Sequence, residues 1–349
     1  MSIIIPCLNE KDTVAAVIRD AQINARRYFS GKHEIIVADN GSTDGTLDIL
    51  KKMRWKNIVH VPVRGYGAAL HWGILNARGK YVLYADADLS YPFANLAHFQ
   101  AVLSQNPDLV LGSRLTGRIA PGAMPWLHRY VGTPILTGLI RLIYKIPTTD
   151  CNSGMRMVKK SFYQALNMRN SGMEWASELL LKTALHNGKY LEVPILFNKD
   201  KRHQAPHLAR WSDGWRHLKA IILLKPILLQ ISAIGLTVIS VLIFPVSFGW
   251  FFLLFLLAIM NWLSVMTLKL LEYGIEKTEN RVALLLIDFK LVPTMGFLFG
   301  LISLWIWLIP NDHLGSKLLL AAIFVLLTMW AFLVETIKTH LINRLPDVK

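Results

Sequence analysis

Over the first 111 residues, short aliphatic and β-branched runs alternate with stretches of helical character. The runs Ile3–Ile5, Glu34–Ala38, Ile58–Val61, Tyr81–Ala85 and Leu109–Leu111 read as strands. Helices are expected to begin near Asp12, Asp44, Tyr66 and Pro92. Strand–helix–strand alternation predicts a mainly parallel sheet with helices on both faces. In such sheets, ligands bind beyond the carboxyl ends of the strands. Three polar clusters here follow strands: Cys7-Leu8-Asn9-Glu10, Asp39-Asn40-Gly41-Ser42-Thr43-Asp44-Gly45 and Asp86-Ala87-Asp88. They should converge on one edge.

The pattern changes after Lys225. Four segments, near 226–245, 249–270, 291–310 and 317–338, each hold the roughly 20 apolar residues that a bilayer-crossing helix needs. The turns at Pro245–Ser247 and Asn311–Ser316 are nearly free of charge. The connection 271–290 carries Glu272, Glu276, Lys277, Glu279, Arg281 and Lys290. Basic residues on alternate connections put the N-terminal domain and both termini on the cytoplasmic side. Asp288, Lys290 and Glu335 sit near span ends and read as interfacial flanks, not a transport path. Ser2–Leu8 lacks a basic leader and runs into Asn9-Glu10, so it reads as a buried strand and not as a signal peptide.

Composition sharpens this division. Apolar residues make up 53% of the 349 and charged residues 17%, against about 25% charged in an ordinary soluble domain. Mean hydropathy is +0.37, which excludes a disordered chain and argues against an all-soluble one. Of the net charge of +15, residues 1–225 carry +14, and residues 112–225 hold 18 basic against 6 acidic groups. The cations therefore lie just before the spans, where anionic headgroups are a better partner than nucleic acid. Cys7 and Cys151 cannot form a disulfide framework, so a reduced, cytoplasm-facing chain is expected.

Two stretches are amphipathic. Residues 126–146 interleave Trp126, Leu127, Val131, Ile135, Leu136, Leu139, Leu142 and Ile143 with Arg129, Arg141 and Lys145. Gly132-Thr133-Pro134 should break that stretch into two short helices. Trp211, Trp215, Leu218 and Ile222 recur at helical spacing just before the first span. Both stretches read as helices lying in a membrane interface.

Asp86-x-Asp88, placed directly after a strand, is the most informative local feature. Two carboxylates one residue apart can hold a hard divalent cation against a diphosphate. Neither a GxxxxGK[ST] phosphate loop nor a GxGxxG fingerprint is present, and the histidines lack zinc spacing.

Taken together, Pro6-x-x-Asn9-Glu10, Asp39 to Thr46, Gly65-Tyr66-Gly67-Ala68-Ala69, Asp86-Ala87-Asp88 and Gly112-Ser113-Arg114 resemble family 2 glycosyltransferases of the α/β GT-A fold. The branch is that of the dolichyl-phosphate mannosyltransferase-like, polyprenyl-phosphate glycosyltransferases. Asp150-x-x-Ser153-Gly154-Met155-Arg156, Glu192-Val193-Pro194-Ile195 and Asp213-Gly214-x-Arg216-His217-Leu218 extend the resemblance to about residue 220. It implies a GT-A domain over 1–205, with interfacial helices at about 122–146. A juxtamembrane amphipathic helix over 206–225 and an all-α transmembrane domain over 226–349 would follow.

The resemblance also implies roles. Pro6, Asn9, Glu10, Asp39, Gly41, Ser42, Asp44, Gly67 and Asp86 would bind the nucleotide-sugar, and Asp88 with Asp86 would hold Mg2+ or Mn2+. Arg114, Arg129, Thr133, Arg202 and His207 would surround the acceptor phosphate. The sequence departs from the family pattern at four places. Asn40 replaces a frequent Asp, Thr133 replaces Ser, and Ser90 replaces a metal-contacting Gln. Arg202-x-Gln204-x-Pro206-His207-Leu208 replaces an Arg-x-Gly-x-Ser-Lys-Leu segment.

The expected reaction is metal-dependent, inverting transfer of a hexose from a GDP-mannose or UDP-glucose type donor to a polyprenyl or dolichyl phosphate. It would take place at the cytoplasmic face of a bacterial inner membrane or the endoplasmic reticulum, with homo-oligomerisation through the spans open. A lipid phosphate is largely ionised at pH 7 and needs no general base, so Glu174 and Glu178 read as a helix-start charge and a local packing or ion-pair group. A processive polysaccharide synthase would require a Gln-x-x-Arg-Trp motif, and Gln204 to Arg210-Trp211 has the wrong spacing. A transporter or scaffold with an inactive transferase domain would show degraded carboxylate clusters or charged span interiors. Neither is evident.

Overall fold

A computed structural model describes residues 1–30, 32–202, 217, 218 and 221. The expected spans and most of the 206–225 helix lie outside these residues. Among the described residues, no helix is long and apolar enough to cross a membrane.

The strands are β1 (Ser2–Cys7), β2 (Glu34–Asp39), β3 (Ile58–His60), β4 (Tyr81–Tyr84), β5 (Leu109–Ile119), β6 (Arg156–Lys159) and β7 (Tyr190–Phe197). They form one sheet in the order β3-β2-β1-β4-β6-β5-β7. β6 runs antiparallel to both neighbours, and every other pairing is parallel. β1 is buried at every position, as a central parallel strand covered on both faces must be.

The helices are α1 (Val14–Phe29), α2 (Thr46–Lys52), α3 (Tyr66–Asn76), α4 (Leu96–Ala101), α5 (Thr133–Tyr144), α6 (Lys160–Ala165) and α7 (Trp175–Leu185). Strand side chains alternate between faces. Ile3, Ile5, Val37 and Leu83 pack on Val17 and Ile18 of α1, Leu50 of α2 and Phe99 of α4. On the opposite face α3 comes so close that a Cβ on Gly73 would lie 2.5 Å from Ile4, and Tyr84 meets Trp175 of α7 edge-on. Helices cover both faces, as expected.

Two expectations are corrected. The chain does not break at Gly132-Thr133-Pro134. A widened π turn over His128–Gly132 runs directly into α5. Pro134 lacks an N–H and its ring crowds the carbonyl four residues back, and a wider turn ahead of it accommodates both. The helical stretch expected near Pro92 is found there, opening with a 3-10 turn, Phe93–Asn95, before α4. β5 extends eight residues beyond Leu111 to Ile119, its outer half paired with β7 after an irregularity between Ser113 and Arg118.

Gly65 fixes the approach to α3. Its φ is +140°, and a Cβ there would stand 2.1 Å from the Ser171 carbonyl oxygen. Gly65→Ala should cost about 3 kcal/mol through strain and clash. Thermal unfolding should then show a midpoint lower by about 6–12 °C, and a midpoint within about 2 °C of the parent would contradict this account.

Candidate active site

The first two polar loops interlock. Asn9, in the left-handed region at φ 57°, accepts from Thr43 N–H at 2.8 Å, and its own N–H donates to Ser42 Oγ at 3.0 Å. The Glu10 N–H donates to Thr46 Oγ1 at 2.9 Å. Asp39, at the end of β2, accepts from the Gly41 and Ser42 N–H groups. Gly41 adopts φ +87° to allow this turn. Asp44 accepts from Thr46 N–H and Lys11 N–H. Burial pushes its pKa up, but the hydrogen bonds from Thr46 and Lys11 outweigh that and hold it below the usual carboxylate range.

The third loop closes on the first. Asp86 is half-buried after β4, with Tyr66 Oη donating to its Oδ1 at 2.8 Å. Burial, and then Asp88, push the Asp86 pKa up to about 7. Asp88 Oδ1 accepts from the Ser90 N–H and hydroxyl, so Ser90 orients Asp88. Arg202 joins the loops: Nη1 lies 3.1 Å from Glu10 Oε1 and Nη2 3.3 Å from Asp88 Oδ2. Burial pushes the Glu10 pKa up to about 7, with Arg202 opposing the rise. Convergence on one sheet edge is observed.

Arg114 lies on the β5 side. Its Nε and Nη2 both sit 2.7 Å from the Asp150 carboxylate, and its guanidinium stands 5.2 Å from the centre of the Phe197 ring. Burial works against its charge, yet Tyr91 and Asp150 hold its pKa above the ordinary value. Thr133 is buried and accepts from Asn152 Nδ2 at 3.5 Å, which puts the start of α5 beside the Asp150 turn. Arg129 is exposed over the Tyr130 ring and makes no ion pair with a described carboxylate. His207 lies outside the described residues. Pro6 is buried in β1 opposite Ala38. Gly67 packs against the Gly172–Trp175 turn, where a Cβ would meet Trp175 at 2.4 Å, so what it shows is close packing of α3.

The donor chemistry fits a hard divalent ion. Asp86 and Asp88 offer carboxylate oxygens, and the position between Glu10 and Asp88 already stabilises a guanidinium charge. Among the described residues, no group of three or more His, Cys, Asp or Glu could hold a metal ion alone. Substrate phosphate and water would complete the shell, as is usual for Mg2+.

Residues 2–166 match the profile of Glycosyl transferase family 2. The chain carries a family 2 glycosyltransferase domain. It is 33% identical over 246 residues to the low-salt glycan biosynthesis hexosyltransferase Agl6 of Haloferax volcanii, covering 69% of this chain and 58% of that relative's length. It is 27% identical over 200 residues to the dolichyl-phosphate hexose transferase of the same organism, covering 57% of this chain and 83% of that protein. Among solved structures, it is similar to glucosyl-3-phosphoglycerate synthase from Mycobacterium tuberculosis in complex with Mn2+, uridine-diphosphate and phosphoglyceric acid. That likeness has a TM-score of 0.49 at 20% identity and covers 63% of this chain and 76% of the other.

The glycosyltransferase domain explains one departure from its family. Asn40 donates from Nδ2 to the Val63 carbonyl and accepts on Oδ1 from the Gly65 N–H, both at 2.8 Å. A carboxylate could not make the first bond, so the amide here clamps the second loop to the approach to α3. The domain also holds site-shaping residues without assigned roles in the motif reading: Tyr66 on Asp86, Asp150 on Arg114 and Asp200 on Arg202. Tyr66 and Asp150 lie inside recognisable motifs. Asp200 carries no sequence signal beyond its nearness to Arg202. Glu178 accepts from the Arg169 and Asn170 N–H groups and pairs with Lys182, the structural role expected of it.

Proposed function

We propose that this chain transfers a hexose from a nucleoside-diphosphate sugar to a polyprenyl phosphate, with inversion at the anomeric carbon, at the cytoplasmic face of a membrane. The observation that carries the reading is the meeting of carboxylates from the loops after β1, β4 and β7 with the Arg202 guanidinium at one sheet edge. The donor's base and ribose would lie along the Asn9–Glu10 and Asp39–Ser42 loops. Its diphosphate would reach Asp86 and Asp88. When bound, a divalent ion neutralises the charge that develops on the leaving diphosphate.

The acceptor needs different help. A neutral sugar hydroxyl requires a base to become a good nucleophile, whereas a phosphate monoester is largely dianionic at pH 7. The chain's task is then to hold that anion in line with the anomeric carbon. Arginine's planar fork suits phosphate geometry, and among the described residues the charges of Arg202 and Arg114 both act on Asp86. Asp150 fixes the Arg114 fork through its Nε edge.

Membrane apposition is part of the proposal. Trp126, Leu127, Tyr130, Ile135 and Leu142 are exposed on the 126–144 helix, interleaved with Arg129 and Arg141. Large apolar side chains beside cations suit a headgroup interface. Purified full-length protein should be given GDP- and UDP-sugars labelled in the hexose, a short polyprenyl phosphate and Mn2+ or Mg2+. One donor should yield label in the organic phase, lost on chelation. Label that stays water-soluble whatever the lipid supplied would overturn the reading.

A further inference from the structure

We propose that Arg202 is the resident cation of the carboxylate cluster in the ligand-free chain and is displaced from Asp88 when the donor's metal ion arrives, which frees its guanidinium for the acceptor phosphate. The inference rests on the site reading above and adds an order of binding to it: donor and metal first, lipid phosphate second.

The guanidinium is fully engaged. Nε and Nη2 lie 2.9 and 2.7 Å from Asp200 Oδ2, Nη1 lies 3.1 Å from Glu10 Oε1 and Nη2 lies 3.3 Å from Asp88 Oδ2. The side chain is only 15% exposed. Every nitrogen of the fork thus faces a carboxylate, and a phosphate could take the fork bidentately only by displacing one. Three carboxylates face one guanidinium, so the cluster keeps negative charge that a divalent ion would neutralise. An ion on Asp88 and a guanidinium on the same carboxylate would repel at close range, where the effective dielectric is low.

The backbone supplies the hinge. The Asn198 N–H donates to the Ser90 carbonyl and the Lys201 N–H to the Asp88 carbonyl, so the segment after β7 is tethered to the Asp88–Ser90 turn. Asp200 travels on that same segment and holds Arg202 through its backbone N–H as well as its side chain. Losing Asp88 therefore turns the side chain without detaching the segment.

The test is Mn2+ binding without nucleotide, followed by electron paramagnetic resonance on the full chain in detergent. Arg202→Gln should tighten Mn2+ binding by about tenfold, the lower end of the coupling between close charge pairs. Arg202→Lys keeps a cation but cannot present a fork to three carboxylates, and should tighten binding by less. Asp88→Asn should abolish binding. Unchanged or weaker Mn2+ binding in both Arg202 variants, with Asp88→Asn still deficient, would overturn the exchange and leave the metal assignment standing. Parent-like binding by Asp88→Asn would overturn the metal assignment and the exchange with it.

Discussion

Asp88→Asn should lower the transfer rate by about 10³-fold, some 4 kcal/mol of transition-state stabilisation, while leaving the fold intact. The asparagine can keep the Oδ1 acceptor for the Ser90 N–H and hydroxyl, so the turn after β4 survives. What it loses is the anionic oxygen that now faces Arg202 and that would face the metal ion and leaving diphosphate. Initial rates under saturating donor, with circular dichroism as the folding check, measure this directly. A rate within tenfold of the parent, in a folded variant, would remove Asp88 from the reaction.

The second large effect falls on stability. Asp150 is fully buried and accepts three bonds from Arg114, at its backbone N–H, Nε and Nη2. Asp150→Ala leaves that guanidinium buried without its partner, a defect of about 3–5 kcal/mol. For a domain of this size the midpoint should fall by roughly 10 °C, readable in tryptophan fluorescence. Replacing both partners, as Arg114→Met with Asp150→Leu, should restore much of the stability, because no charge is then left buried alone. It should not restore transfer. That contrast separates the structural share of the Arg114–Asp150 pair from its phosphate-binding share. A drop below about 1 kcal/mol in Asp150→Ala would mean that Arg114 finds another partner.

The sequence was legible wherever a short apolar run stood alone between turn residues. β1 to β4 and the three polar loops that follow β1, β2 and β4 appear where the Ile3–Ile5, Glu34–Ala38 and Tyr81–Ala85 patterns put them. The far side of the sheet was less visible. β6 is Arg156-Met157-Val158-Lys159, too short and too charged to show a period. Its Arg156 is fully buried because carbonyls of Ser153, Cys151 and Ala176 accept from it, and no spacing announces that. β7 contains Pro194, which weakens a strand reading. It is tolerated because β7 is at the sheet edge and needs a ladder bond on one side only. The outer half of β5 is polar and half exposed, so hydrophobicity alone ends that strand too soon.

The same contrast holds inside the site. Glu10, Asp39, Asp86, Asp88 and Arg114 fall in local motifs whose residue types state their chemistry. The bridge from Arg202 to Glu10 spans 192 positions and exists only because the chain leaving β7 crosses back over the Asp88–Ser90 turn. Asn40 shows the converse: its departure from the family pattern is plain in the sequence, and its cause, a carbonyl that needs a donor, appears only in three dimensions.

Offering the enzyme two acceptors of equal chain length, one a polyprenyl phosphate and the other the unphosphorylated alcohol, compares an ionised nucleophile with one that must shed a proton. Rapid transfer to the phosphate, with no detectable product on the alcohol, is the predicted result. Comparable rates on the two would mean that a side chain deprotonates the acceptor, and would contradict the account at its centre.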